Sequence, residues 1–379
     1  MIPRIVAVPG PGLDGQEAVK WGEEAGIPVE VRHADPVTVL RSLDRDTAGV
    51  IVAPGAAGLQ DSALAGAVAA FGLPVVAAEP GNLRKAGPAP EDTAFVAAGG
   101  RVIYGRGPDT VRHAVVFLAR RRDRLPDTLA YGPEPRQEGD LWLPATDGPH
   151  PVALLLHGGF WYHAWERDLM DGLALDLAGR GIAAWNVEYR RVGAGGGWPA
   201  PGHDADRAIE HLAALAPVYG LDLDRVAVLG HSAGAQLALW VAARGRRASV
   251  HPAVAVGLAT IADLDAARAA RTGGGSVSRL LDGADAGPDG ALADASPIGR
   301  LPIDVPQILA HAADDDVVPL SQTTRYAAAA TTAGDDVTVF EFETGGHFAL
   351  IDPGTGAWAT VGAAVEGRLQ PTRPVRPAG

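Results

Sequence analysis

Short apolar runs alternate with stretches of helical periodicity twice along this chain. The basic segment Arg120-Arg121-Arg122-Asp123-Arg124-Leu125-Pro126 separates the two series. In the first, residues 5–8, 29–32, 50–53, 75–78 and 101–104 are short β-rich runs, and residues 16–25, 38–43, 61–71 and 110–120 carry helical spacing. That alternation predicts a parallel sheet with crossover helices. The second series opens with two strand candidates, 128–131 and 140–143, and continues with apolar strands at 152–157, 182–187, 225–229, 253–256, 307–311 and 337–342. Helices are expected at 167–178, 205–215, 235–244, 322–330 and 357–368. Residues 273–297, rich in Gly, Asp and Ser, are expected to form a mobile loop or short lid elements. The proline-rich tail 370–379 is expected to fray.

Two α/β domains follow, residues 1–122 and 125–370, as a chain of 379 residues already suggests. The charge run between them reads as a solvated helix end. A hydrophobic content of 47% with 20% charged residues fits a globular protein with ample core. The net charge of −13 argues against nucleic acid or anionic membranes as partners. No cysteine is present, which removes disulfides, thiolate nucleophiles and Cys-based metal sites. Residues 1–8 meet Pro-Gly too soon to read as a signal peptide, and no apolar stretch approaches the length of about 18 residues a membrane span needs. A cytoplasmic location is the expectation.

The candidate chemistry lies in the second series. Gly230-His231-Ser232-Ala233-Gly234 follows the apolar run Val226-Ala227-Val228-Leu229 and precedes a helix. With 49 glycines in the chain the pentapeptide alone is weak, but its context is a strand, a tight turn and a helix. Such a turn pushes a serine hydroxyl out at the carboxyl end of a sheet. A serine is inert at neutral pH unless an imidazole takes its proton. His347, in the loop after the last strand candidate, is the imidazole expected to lie over Ser232. An acid that orients it is expected from the preceding strand, where Asp314, Asp315 and Asp316 follow one another and spacing alone does not choose among them. Asp263 is the alternative. Oxyanion donors are expected from His157-Gly158-Gly159-Phe160-Trp161, whose glycine amides can converge with that of Ala233. Trp161 and His231 are candidate substrate-pocket residues, with Tyr162 and Trp165 as further aromatic candidates. Glu188-Tyr189-Arg190-Arg191 reads as a structural ion-pair corner. No His/Asp/Glu set has ligand spacing, so neither a metal nor another cofactor is expected.

These motifs resemble an α/β-hydrolase, close to the hormone-sensitive-lipase-like esterases and the bacterial arylformamidases (kynurenine formamidases). His157-Gly158-Gly159-Phe160-Trp161 is similar to the formamidase HGG-aromatic-Trp motif, and Gly230–Gly234 matches the elbow of both groups. Asp315-Asp316-Val317-Val318-Pro319 resembles the D-x-V-V-P of the family, and Gly346-His347-Phe348 its final histidine loop. The resemblance implies a triad of Ser232, Asp315 and His347, with oxyanion amides from Gly159, Phe160 and Ala233, or Gly158 in a slightly rotated turn. It implies an esterase acting on a small carboxylic ester through an acyl-enzyme, or alternatively an arylformamidase cleaving an amide with the same groups.

The first domain resembles the type II 3-dehydroquinate dehydratases, which have a flavodoxin-like parallel sheet. Val52-Ala53-Pro54-Gly55-Ala56 echoes their N-P-G-A turn; Gly81-Asn82 and Gly105-Arg106-Gly107 echo later motifs. Their asparagine falls on Ala53, their tyrosine on Ala57, and their two histidines on Leu59 and Glu79. The loop carrying their arginine and catalytic tyrosine is missing around residues 13–15. Without that base no proton can be abstracted. The resemblance therefore implies a catalytically inactive domain kept for packing, a ligand or homo-oligomerisation, with a lyase or ligand-binding function as the alternative.

Overall fold

The computed structural model describes residues 3–10, 13–43, 46–79, 93–107, 109–245, 248–282 and 287–370. Gly81-Asn82 and nearly all of the proline-rich tail lie outside the described residues. The chain forms two compact units, Met1–Leu125 and Pro126–Gly379.

The first unit holds five strands: β1 (Arg4–Val8), β2 (Val29–Val31), β3 (Thr47–Val52), β4 (Val75–Glu79) and β5 (Arg101–Tyr104). They lie in the order β2-β1-β3-β4-β5 and every pair is parallel. Parallel strands need crossovers, and helices on both faces bury both sides of the central strands. That is why β3 reads Thr-Ala-Gly-Val-Ile-Val with all six residues buried. Helix starts follow from short acceptors. Asp14 caps Gly15–Glu24, Asp35 caps Pro36–Ser42 and Asp61 caps Ser62–Phe71.

The second unit holds eight strands: β6 (Asp127–Ala130), β7 (Glu138–Trp142), β8 (His150–Leu156), β9 (Ala183–Val187), β10 (Leu221–His231), β11 (Val254–Leu258), β12 (Gln307–Ala312) and β13 (Val337–Phe342). Their order is β13-β12-β11-β10-β8-β9-β7-β6, with β7 antiparallel to both neighbours and the remaining pairs parallel. Side chains alternate across the sheet with period two. Val152, Leu154 and Leu156 of β8 enter one apolar core, while Ala153 and Leu155 enter the other. Because β8 lies beside β10, and β11, β12 and β13 follow outward, the loops leaving their carboxyl ends gather on one side of the sheet.

Two regions depart from the sequence expectation. The helix expected at 205–215 spans Ala200–Tyr219, with proline in its first turn, where the missing N–H costs nothing, and Gly220 in a left-handed conformation at its end. Of residues 273–297, those described are largely helical, in Thr272–Leu281 and Gly287–Ala295, so short elements rather than a loop fill the segment. Val277, Leu280 and Leu281, at helical spacing, are buried. The helix start is hidden in the sequence because Gly273, Gly274 and Gly275 all have left-handed φ, at 59°, 63° and 85°. No helix among the described residues is long and apolar enough to cross a membrane.

Candidate active site

Ser232 stands between β10 and the helix Ala233–Ala242 with φ 56° and ψ −118°. A non-glycine residue held there is strained, and the neighbours enforce it. A Cβ on Gly230 would come within 2.1 Å of Gly234 O, and one on Gly234 within 2.1 Å of Leu156 O. The elbow therefore presses against β8 at backbone distance, which only glycine allows. The Ser232 amide donates to Leu258 O of β11 at 2.7 Å.

The loop leaving β8 lies against this elbow. A Cβ on Gly158 would stand 3.1 Å from Ser232 Cβ. Gly159, Phe160 and Trp161 then take left-handed φ values of 110°, 53° and 55°. The Trp165 side chain covers Gly159, where an added Cβ would fall within 2.2 Å. Neither the Gly159 nor the Phe160 amide donates to any group among the described residues. Ala233 opens its helix, so its amide has no acceptor within that helix.

A buried polar cluster holds this loop from behind. His157 Nε2 lies 3.0 Å from Glu188 Oε1, and His157 Nδ1 lies 2.7 Å from Gly158 O. Tyr189 Oη donates to His157 O at 2.7 Å. Glu188 also pairs with Arg191 at 3.1 Å and accepts the Arg167 amide at 3.1 Å. Burial acts to raise the Glu188 carboxyl, but Arg191 and His157 outweigh it and hold it below the usual carboxylate range. The Glu188–Arg191 corner is structural, and what it supports is the glycine turn.

The loops after β12 and β13 meet. His347 Nδ1 donates to Asp315 Oδ2 at 2.7 Å. Asp315 Oδ1 accepts the amides of Val317 and Val318, each at 2.8 Å. Burial acts to raise this carboxyl, yet hydrogen bonds from His311 and His347 prevail and hold it far below the usual range. Its two neighbours do other things. Asp314 takes the amides of Gly345 and Gly346 at 3.2 and 2.8 Å, fixing the turn before His347, and Asp316 is exposed. Asp263, the alternative acid, caps the helix Leu264–Ala269 and pairs with Arg325 at 3.0 Å. The histidine loop is tied to the serine elbow through His231, whose Nε2 lies 3.0 Å from His347 O and whose ring centroid lies 4.6 Å from that of His347.

The two residues expected to line the substrate pocket are both buried, as Ser232 itself is. Trp161 is fully buried, and its indole N–H donates to Gln236 Oε1 at 3.0 Å, so the ring is core packing beneath the loop. His231 is likewise buried, with its Nε2 3.0 Å from His347 O. The exposed aromatic surface beside the site comes instead from Phe348, 46% exposed, which stacks on Trp165 with ring centroids 6.3 Å apart. Sequence reasoning also passed over Gln236 and His311. For His311 a signal existed: it lies four residues before Asp315 at the end of a strand. Among the described residues no group of three or more His, Asp or Glu could hold a metal ion.

Comparison with known proteins places this geometry. An isoprenylcysteine alpha-carbonyl methylesterase of Arabidopsis thaliana is 33% identical over 115 residues, 29% of this chain and 26% of that protein. The chain spans between 23% and 29% of the curated relatives it matches. Among solved structures, esterase B from Lactobacillus Rhamnosis is similar with a TM-score of 0.58 at 18% identity, over 67% of this chain and 90% of that one. A bacterial heroin esterase is similar with a TM-score of 0.55 at 23% identity, over 65% and 84%. At these identities the likeness is one of fold. The BD-FAE family model matches residues 140–329, half of the sequence, and the chain belongs to the BD-FAE family of esterases in the α/β-hydrolase superfamily.

Proposed function

We propose that the second unit hydrolyses a small carboxylic ester through an acyl-enzyme. Ser232 Oγ attacks the ester carbonyl carbon while His347 Nε2 takes its proton. The carbonyl π electrons move to oxygen, and the amides of Gly159, Phe160 and Ala233 receive that oxyanion. Asp315 holds the His347 tautomer and stabilises the imidazolium. Collapse breaks the ester C–O bond, and the leaving alcohol takes the proton from His347. Water then repeats the sequence on the acyl-enzyme, with His347 as base, releasing the acid and restoring Ser232. The observation that carries this reading is the 2.7 Å contact of His347 Nδ1 with Asp315 Oδ2, which leaves Nε2 for the serine. The two amides without partners in the Gly159-Phe160 turn support the oxyanion role, and such donors are worth about 10²–10³ in rate.

The methylesterase name of a curated relative supports an ester as the substrate class. The same groups can cleave an aryl formamide, and no feature of the site selects amides. A fluorophosphonate probe, which labels activated serines, tests the reading. Labelling is expected at Ser232, with its loss in Ser232→Ala, and p-nitrophenyl acetate turnover is expected to exceed that of an aryl formamide. No labelling, or labelling at another residue, overturns the nucleophile; faster formamide turnover overturns the substrate class.

For the first unit we infer a flavodoxin-like domain without dehydratase chemistry. Its strand order is the one that fold uses. The positions aligned with the catalytic groups of the dehydratases hold Ala53, Ala57, Leu59 and Glu79. Glu79 is buried and accepts the Gly55 amide at 2.7 Å, which ties the end of β4 to the short helix after β3. Turnover of 3-dehydroquinate by the Ser232→Ala protein would overturn this.

A further inference from the structure

We propose that His311 is a positioning residue of this hydrolase: its ring N–H, shared between Asp315 Oδ2 and Val318 O, fixes the carboxylate that orients His347. This rests on the triad reading above. His311 is the penultimate residue of β12, with its side chain wholly buried. Its Nε2 lies 3.3 Å from Asp315 Oδ2 and 3.0 Å from Val318 O. Both neighbours are acceptors, so Nε2 carries the hydrogen. Its Nδ1 lies 2.7 Å from Thr323 Oγ1, a hydroxyl that can donate to it. A neutral ring is thereby satisfied at both nitrogens and cannot rotate without losing both contacts.

The consequence falls on Asp315. The amides of Val317 and Val318 hold its Oδ1, and Oδ2 faces the two histidines, His347 at 2.7 Å and His311 at 3.3 Å. Four donors surround two oxygens, which leaves the carboxylate little freedom to swing away as charge builds on His347. His311 also withdraws hydrogen-bonding capacity from Oδ2. Without it, Oδ2 becomes a better acceptor for the imidazolium of His347. The other ionisable groups facing this pair are His231 from β10, in ring contact with His347, and Asp314, bonded to the turn before His347.

The test uses the full-length protein with p-nitrophenyl acetate and compares His311→Leu, His311→Gln and Thr323→Val. Gln can place an amide N–H where Nε2 stood; Leu cannot. In His311→Leu, kcat is expected to fall about 10- to 100-fold with KM within about twofold, and the acid limb of kcat/KM to move to higher pH. His311→Gln should recover most of kcat and return the limb toward the wild-type position. Thr323→Val, which only loosens the ring, should give a smaller shift in the same direction and carries the test if His311→Leu does not fold. An unmoved acid limb in folded His311→Leu and Thr323→Val, or equal losses in the Leu and Gln variants, overturns the proposal. Failure of the probe to label wild-type Ser232 would instead overturn the triad reading itself.

Discussion

His231 is buried beside Ser232, its Nε2 engaged with His347 O and its Nδ1 facing Gly158 without a hydrogen-bond partner. Burial, reinforced by His347, holds its pKa well below the ordinary histidine value of 6.5. The sign of the linkage follows. Below about pH 6.5 the unfolded chain takes a proton that the folded chain refuses, so this contribution is full above that pH and is lost as pH falls, by up to about 1.4 kcal/mol per unit. Urea unfolding at pH 7.5 and 5.5 should therefore show a steeper loss in wild type than in His231→Gln, and equal losses would refute the assignment. At the same scale Asp315 illustrates what spacing hides. Three consecutive aspartates have the same side chain. Only the turn geometry decides that one caps Val317 and Val318 and meets His347, one holds the amides of Gly345 and Gly346, and one faces solvent.

The loops that form the site are shaped by contacts between elements. Gly273, at the left-handed start of the helix Thr272–Leu281, lies against the Phe160 ring, and an added Cβ would come within 2.5 Å of it. Gly273→Ala is expected to displace Phe160 and its amide, lowering kcat/KM about tenfold while destabilising the fold by about 1–3 kcal/mol. Steady-state kinetics with a melting curve would check both, and unchanged kcat/KM would exclude the coupling. Behind the loop, Glu188 is surrounded by Arg191, His157 and the Arg167 amide with no solvent exposure. Glu188→Gln leaves the buried Arg191 with only the longer contact to Glu166, at 3.6 Å, and should cost about 3–5 kcal/mol in denaturant unfolding; a loss below about 1 kcal/mol would mean the cluster relaxes. The central strands were legible because each is a short apolar run buried on both faces, as β3, β4, β8 and β11 are. The segment 273–297 was not, since glycine and aspartate read as loop until tertiary packing of Val277, Leu280 and Leu281 is known.

At the scale of the whole molecule, each unit has its own sheet and its own pair of apolar cores. All of the candidate triad and oxyanion groups belong to the second. A chain of residues 126–370 is thus expected to fold alone and to keep fluorophosphonate labelling and p-nitrophenyl acetate turnover within about threefold of the full protein. An unlabelled, unfolded fragment would show that the first unit is needed for the second. Residue order alone makes legible the two α/β series, the seam near Pro126, the turn around Ser232 and the loops that carry His347 and the glycine turn. It could do so because strand burial, tight turns and backbone crowding leave direct marks on residue type. Folding, and not residue spacing, shows that Asp315 is the aspartate that meets His347, as the resemblance implied, that Trp161 and His231 are buried, and that His311 lies against Asp315. Those outcomes depend on side-chain direction and on groups brought together from separate strands, and residue order along one strand records neither.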